Sequence, residues 1–475
     1  MKILFVAMAE SVHTTRWISQ INDQGWEIHI CPSTYSSSIY RQIKNTTIHY
    51  SNFSKKAEKT AVYHIKGPHL WLNRFITGLK FYRDKIDKNA RSRQLNNLIK
   101  KIKPDIVHSL EFQSAGYLVL KAKSLFQGKF PIWIATNWGS DIYWFRHFPI
   151  ERIKIEETLK KCDYYSCECK RDVELAEHHG LKGEILPILP GPGGLDLKKI
   201  KSWRKPLAQR KIIMLKGYHG IWGRVLVGLD ALKLCADQLK NYTIVVYSIL
   251  PQPSIIEILS EFKKQTGLKV KIISHNVSHE QILKLHGQAR ISISLSISDG
   301  LSNSFLESMV MGSFPIQSNT ACADEWVKNG KTGILVPSED SKVVAEAIKK
   351  VIHNDKLLEE AAKINWQTAE KRLDYQLIKT KTLEIYKKIQ KDLRKKQIAK
   401  SEINLSKSNY RNLVEHFLFF WIIFWLVAWL MIGLINSVKD SGVVYPSKIQ
   451  KFIVQTDQFL KTNKITNLYI YKAFN

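Results

Sequence analysis

The feature that most limits the fold is a series of short apolar runs, separated by amphipathic stretches, that breaks once and then starts again. KILFVAM, IHICPS, DIVHSL, FPIWIAT and DYYSCEC read as strands of a first series. KIIMLKG, YTIVVYS, VKIISHN, RISISLS, SFPIQSN and TGILVPS read as a second, beginning near Arg210. Strand–helix alternation of this kind argues for an α/β protein with parallel, doubly wound sheets. The break is LPGPGGLD, Leu189 to Asp196, a loop by its Pro and Gly content and the expected hinge. Two α/β units in tandem leave a cleft, and ligands of such sheets bind beyond the carboxyl ends of the strands. At 475 residues, two domains with an appendage are expected. The division predicted is 1–195, 196–375, a helix over 376–398, an apolar helix over 417–435 and a polar tail over 436–475.

The appendage is basic and then apolar. The net charge of +30 points to anionic partners, and no nucleic-acid module is recognisable, so a membrane surface is favoured over nucleic acid. The 376–398 helix is basic and amphipathic, offering lysines either to anionic headgroups or simply to solvent. Phe417 to Ile435 is an uncharged apolar run, about 28 Å long as a helix and apolar on every face, as a membrane segment requires. Trp421, Trp425 and Trp429 form one stripe on it, compatible with a spanning helix or with one lying in the membrane plane. Arg394, Lys395 and Lys396 upstream place the preceding domains in the cytoplasm by the positive-inside rule. MKILFVAMAES reads as a buried first strand rather than a signal peptide. The six cysteines form no C-x-x-C pair and no zinc spacing; Cys167-Glu168-Cys169 reads as strand residues, and a reducing compartment fits.

The chemistry concentrates between Asp299 and Gly333. Gly300, Leu301, Ser302, Asn303 and Ser304 form a small polar turn running into a helix that carries Glu307. A helix start offers unpaired N–H groups and a positive dipole end, which suit a diphosphate, and Ser302 or Asn303 is a natural N-cap. Asp299 and Glu307 flank that start, so two carboxylates reach hydroxyls around one phosphate site. KGYHGIWGR, after the first strand of the second series, places Lys216, Gly217 and Arg224 around a Gly-rich loop, two cations for the same diphosphate. No D-x-D triplet occurs, so a metal-bridged diphosphate is not encoded, and neither metal nor cofactor is expected.

The Asp299-x7-Glu307 segment resembles the acidic-x7-acidic signature of GT-B retaining glycosyltransferases of family 4. The resemblance covers roughly residues 1–395. It implies two Rossmann-like domains, the first on the acceptor side and the second binding a nucleotide sugar, with the 376–398 helix crossing back. By position Glu307 takes the ribose, Asp299 the donor sugar, and the 300–304 amides the phosphates, with Lys216 and Arg224 neutralising the leaving group without metal. The sequence departs from the signature by Asp for Glu at 299 and by Gly-Leu-Ser-Asn-Ser for the usual loop. TNWGSDIY resembles the family's Thr-x-His-Gly-x-Asp loop, with Trp138 in place of His. Asp141 either orients the acceptor or caps the next helix, while His108 in DIVHSLEFQ and His13 in AESVHTTRW complete the acceptor-side set. The resemblance implies a retaining transferase, a hexosyltransferase, moving sugar from a nucleoside-diphosphate donor to a lipid-linked or surface-polysaccharide acceptor such as lipopolysaccharide. A sugar-nucleotide epimerase on the same architecture, or an inactive membrane-bound scaffold, are the alternatives.

Overall fold

A computed structural model describes residues 1–34, 43–49, 54–57, 75, 78–79, 81–191, 193–249, 253–273, 277–440, 447, 451 and 455. The chain divides into two compact units, Met1–Ile389 and Gln390–Asn475.

In the first unit the described strands form two sheets. The first has the order β4-β3-β2-β1-β5-β6-β7-β8 and the second β11-β10-β9-β12-β13-β14. The members of the first are β1 (Lys2–Ala7), β2 (Glu27–Pro32), β3 (Thr46–His49), β4 (Ser54–Ala57), β5 (Ile106–Leu110), β6 (Ile132–Thr136), β7 (Tyr164–Ser166) and β8 (Glu184–Ile185). Those of the second are β9 (Ile212–Lys216), β10 (Thr243–Tyr247), β11 (Lys269–Ile272), β12 (Ala289–Ser294), β13 (Phe314–Ser318) and β14 (Ile334–Val336). Every pairing is parallel except β3 with β4. The α/β architecture with two parallel sheets expected from the alternation is thus present.

The long apolar runs became the central strands because helices cover both sheet faces, which favours continuous rather than alternating apolar sequence. Ile3 to Ala7 on β1 and Met214 and Leu215 on β9 are buried on both faces. The strands the sequence did not announce, β3, β4 and β8, are only two to four residues long, and β4 and β8 lie at the edges of the first sheet.

The helix Tyr375–Asp440 begins in the first unit. Ile378, Ile385, Tyr386 and Ile389 are buried there, and the Tyr386 hydroxyl accepts from Trp17 Nε1 at 2.9 Å while sitting 2.7 Å from His108 Nδ1. Thr382 donates to Gln20 at 2.8 Å. These contacts return the end of the unit to the first sheet. In the second unit Leu413–Met431 is long and apolar enough to cross a membrane, with mean hydropathy 2.0 and its apolar side chains exposed. It overlaps the 417–435 run. The tail over 436–475 lies mostly outside the described residues.

Candidate active site

The loops leaving the carboxyl ends of the two sheets face each other across a cavity of about 490 Å³. His13, Trp138, Asp141 and Glu168 line it from the first-sheet side; Lys216, Asp299, Leu301 and Asn303 line it from the second. That volume lies within the roughly 300–1,000 Å³ usual for small-molecule sites.

On the second-sheet wall, the helix Asn303–Met311 is anchored by burial of every residue from Ser304 onward. Ser302 occupies its N-cap position, but the hydroxyl does not cap. It lies 3.2 Å from Ser304 Oγ and 3.5 Å from Lys216 Nζ instead. Asn303 lines the cavity, and its Oδ1 is buried without a hydrogen-bond partner. Lys216 Nζ stands 3.8 Å from Asp299 Oδ2, and Asp299 Oδ1 accepts from the Gly300 amide at 2.9 Å. Gly217 is required by space, since a Cβ there would lie 2.9 Å from Tyr247 O.

Glu307 is buried one turn further along and does not line this cavity. Its Oε1 lies 2.7 Å from His279 Nε2. Burial works against its ionisation, but the His279 hydrogen bond and the Arg16 and His279 charges prevail and hold the carboxyl below its ordinary range. His279 and Arg16 line a second cavity, of about 220 Å³, together with Lys199 and Trp203.

On the first-sheet wall, burial, with Arg16 and Lys216 nearby, lowers the His13 imidazole to about 4, so it is neutral near pH 7. Its ring packs 5.3 Å from Trp138. Asp141 Oδ2 accepts from the amides of Trp138 (2.8 Å) and Phe112 (2.9 Å), which fixes the loop between them. Burial and the nearby Glu111 raise the Asp141 carboxyl well above its ordinary range. The walls also touch directly. Ser298 Oγ donates to Ser140 Oγ at 2.8 Å, and Trp222 packs edge-on against Trp144 at 5.4 Å.

Of the residues singled out from sequence, Glu307, His108 and Arg224, like Gly217, Gly300, Ser302 and Ser304, do not line the cavity. His108 is fully buried between Tyr386 and Thr136 Oγ1 (2.6 Å). Arg224 Nε donates to Glu339 at 3.0 Å, and its Nη1 donates to the Ile221 and Gly223 carbonyls.

Sequence reasoning passed over Glu168, His279 and Arg171. Arg171 ties the walls together, donating to Asp299 O and Thr320 O, both at 3.0 Å, with its guanidinium stacked 4.0 Å from the Tyr143 ring. None of the three belongs to a motif or a recognisable spacing. Cys169 corrects the strand reading of its segment: it stands at the N-cap position of the helix Lys170–His178, with no capping bond from its side chain, and is joined to Cys322 as a disulfide. The pair is 153 residues apart in sequence, which spacing rules cannot detect. The two sulfurs and a Glu325 carboxylate oxygen lie within 4.8 Å of one another at the seam between the walls rather than in the cavity lining, a grouping that would offer metal ligands only with the cysteines reduced to thiolates.

Two family profiles match the chain. The one described as glycosyl transferase 4-like matches residues 2–165, and the one described as glycosyl transferases group 1 matches residues 229–368. No curated protein is significantly similar by sequence. Among solved structures, sucrose-phosphate synthase of Thermosynechococcus elongatus superposes with a TM-score of 0.60 at 14% identity, over 82% of this chain and 99% of that one. HepE of Anabaena in complex with UDP-glucose gives 0.58 at 14% identity, over 82% and 100%. A glycosyltransferase of Rickettsia africae gives 0.54 at 18%, over 82% and 98%. At these identities the likeness is one of fold.

Proposed function

The chain belongs to the GT-B glycosyltransferases of the 4-like and group 1 type, and we propose that it transfers a sugar, as a hexosyltransferase, from a nucleoside diphosphate to an acceptor hydroxyl with retention of configuration. The observation that carries the reading is the grouping of Lys216, Asp299 and Asn303 at a helix N-terminus around one cavity. The 300–304 loop and Lys216 receive the diphosphate, through the amides from Ser302 to Ser304, since those of Gly300 and Leu301 already donate to Asp299 and Glu168; Asp299 and Asn303 receive donor-sugar hydroxyls. Glu307, oriented by His279, takes the ribose. Arg224 adds charge to the phosphate site when released from Glu339. In this reading fixed cations and amides stabilise the leaving group without a metal. The structurally similar HepE was solved with UDP-glucose, which supports a nucleotide sugar as the donor here.

The acceptor side is the wall of His13, Trp138 and Asp141, with His108 supporting it from behind. The domain division at 195, 375 and 398 belongs to the same proposal. The exposed apolar helix Leu413–Met431 and the net charge of +30 support a membrane-associated enzyme with cytoplasmic catalytic domains. A lipid-linked or surface-polysaccharide acceptor follows most economically from that location.

The test is the melting temperature of detergent-solubilised full-length protein against UDP, GDP, ADP, dTDP and their sugars, since ligands that bind the native state raise it. A shift with one nucleotide that disappears in Glu307→Ala supports the reading. No shift with any of them, from folded protein, sinks it.

A further inference from the structure

Glu168 is an ionisable group of the cavity that no motif accounts for. It lies two residues beyond β7, and its Oε2 accepts from the Leu301 amide at 3.2 Å across the cleft. Two glycines make the slot that holds its carboxyl. A methyl group at Gly191, in the Pro/Gly loop that the sequence marks as the hinge, would overlap Oε1, and one at Gly300 would lie 2.9 Å from Oε2. The carboxyl therefore touches the hinge loop on one side and the amide loop on the other. The residues that follow it are tied across the same seam. The Lys170 amide donates to Glu325 at 2.7 Å, and the Arg171 guanidinium donates to the Asp299 carbonyl.

We propose that Glu168 is a positioning residue for the transfer reaction: from the first-sheet wall it holds the Leu301 amide, and with it the 300–304 loop, in the geometry that accepts the donor diphosphate. The inference rests on the donor-site reading above. A carboxylate beside a diphosphate would repel it, so the group serves this purpose in its neutral form. Burial, with Asp299 and Asp172 close by, pushes the Glu168 carboxyl up to about 8, against the opposing pull of Arg171 and the Leu301 amide. Lys216 and His13 face the same cavity, and His13 is neutral at these pH values. Near pH 7 the acid accepts from Leu301 without adding negative charge. Above pH 8 it ionises and opposes the incoming phosphates.

The experiment uses full-length protein in detergent and whichever of UDP, GDP, ADP and dTDP stabilises the wild type most. Its Kd is measured from pH 7 to pH 9.5 for the wild type, Glu168→Gln, Glu168→Ala and Gly191→Ala. Wild-type affinity is expected to weaken about tenfold over that range, equivalent to a one-unit displacement of the carboxyl's titration by the ligand. Glu168→Gln keeps an acceptor for Leu301 but cannot ionise, so it binds more tightly than Glu168→Ala at pH 7 and shows no alkaline weakening. Gly191→Ala, which displaces the carboxyl while leaving it in place chemically, weakens binding at pH 7. Should Glu168→Ala not fold, the isosteric Gln variant carries the test alone through its pH profile. An alkaline weakening in Glu168→Gln equal to that of the wild type overturns the inference while leaving the donor site intact. So does wild-type affinity in a folded Glu168→Ala. Absence of binding by the wild type to all four nucleotides overturns the donor-site reading and this inference together.

Discussion

His279 Nε2 lies 2.7 Å from Glu307 Oε1, pairing the first residue of one helix with a buried acid on the next. Without that partner the Glu307 carboxylate is left buried with a lone pair unsatisfied, a cost of about 1–3 kcal/mol that also frees its rotamer. His279→Ala is therefore expected to raise the donor KM about tenfold, the equivalent of ~1.4 kcal/mol, with kcat changed far less. His279→Gln, which can still donate, falls between the two. Initial rates against donor concentration check this, and a kcat loss at constant KM contradicts it.

Lys216 and Arg224 flank one loop but are placed differently. The Lys216 amine sits 3.8 Å from Asp299 within the cavity wall, whereas Arg224 is held by Glu339. Removing a fixed cation from a leaving group should reduce kcat by roughly 10²–10³. That loss is expected for Lys216→Ala, with Arg224→Ala giving a smaller loss seen mainly in KM. Single-turnover rates for the two variants decide the order, and equal losses would mean that Arg224 moves fully into the site.

His108 carries a pH signature. Burial lowers its imidazole from 6.5 to about 3, and the ring's two nitrogens face the Tyr386 and Thr136 hydroxyls. The unfolded chain takes up a proton below pH 6.5 that the folded chain refuses. The contribution of His108 to stability is thus present above 6.5 and lost as pH falls toward 3, by up to about 1.4 kcal/mol per pH unit. Against His108→Gln, the wild type should lose more melting temperature between pH 7 and pH 4. Parallel curves would show that His108 already titrates in the folded state.

The central strands of both sheets were legible because their burial on two faces leaves unbroken apolar runs, as in KILFVAM and KIIMLKG. The amide loop at Gly300 to Ser304 was legible because a small polar turn before an apolar helix has few other uses. Glu168, Arg171 and Cys169 were not. Their roles depend on residues more than a hundred positions away, such as Leu301, Asp299 and Cys322, and local spacing holds no trace of such partners. Arg224 shows the converse limit, because a strand-end position identifies a loop but not the direction in which a side chain turns.

The apolar helix gives a prediction about location. Phe417, Phe420, Phe424 and Trp429 are all more than half exposed on Leu413–Met431, a surface that water does not tolerate over such a length. Full-length protein is expected in the membrane fraction after an alkaline carbonate wash. A variant lacking 413–431 should appear in the soluble fraction and keep its nucleotide-induced thermal shift. Release of the intact chain by carbonate or by salt alone would mean electrostatic attachment instead.

Gly300 and Gly139 let the two cavity walls meet backbone to backbone. A Cβ on Gly300 would lie 2.8 Å from Gly139 Cα and 3.0 Å from Gly139 N, both backbone atoms that cannot swing aside. Gly139 has a φ of +25°, a left-handed value that a side chain would strain, so the tolerance cannot be shifted to that residue either. Gly300→Ala must therefore push the walls apart. The Ser298–Ser140 hydrogen bond and the Arg171 bridge to Asp299 O and Thr320 O span the same seam and would stretch with it. The second-sheet wall keeps Lys216, Asn303 and Glu307, but the added methyl also crowds the Glu168 carboxyl and strains its contact with Leu301, so nucleotide binding should weaken, as in Gly191→Ala, without being lost. The reacting geometry depends on both walls, and a displacement of about 1 Å can cost on the order of 10² in rate. Gly300→Ala is accordingly expected to retain the nucleotide-induced thermal shift while losing most of kcat. If kcat survives, the cleft turns over without this contact; if nucleotide binding is lost as well, the amide loop itself has been disrupted.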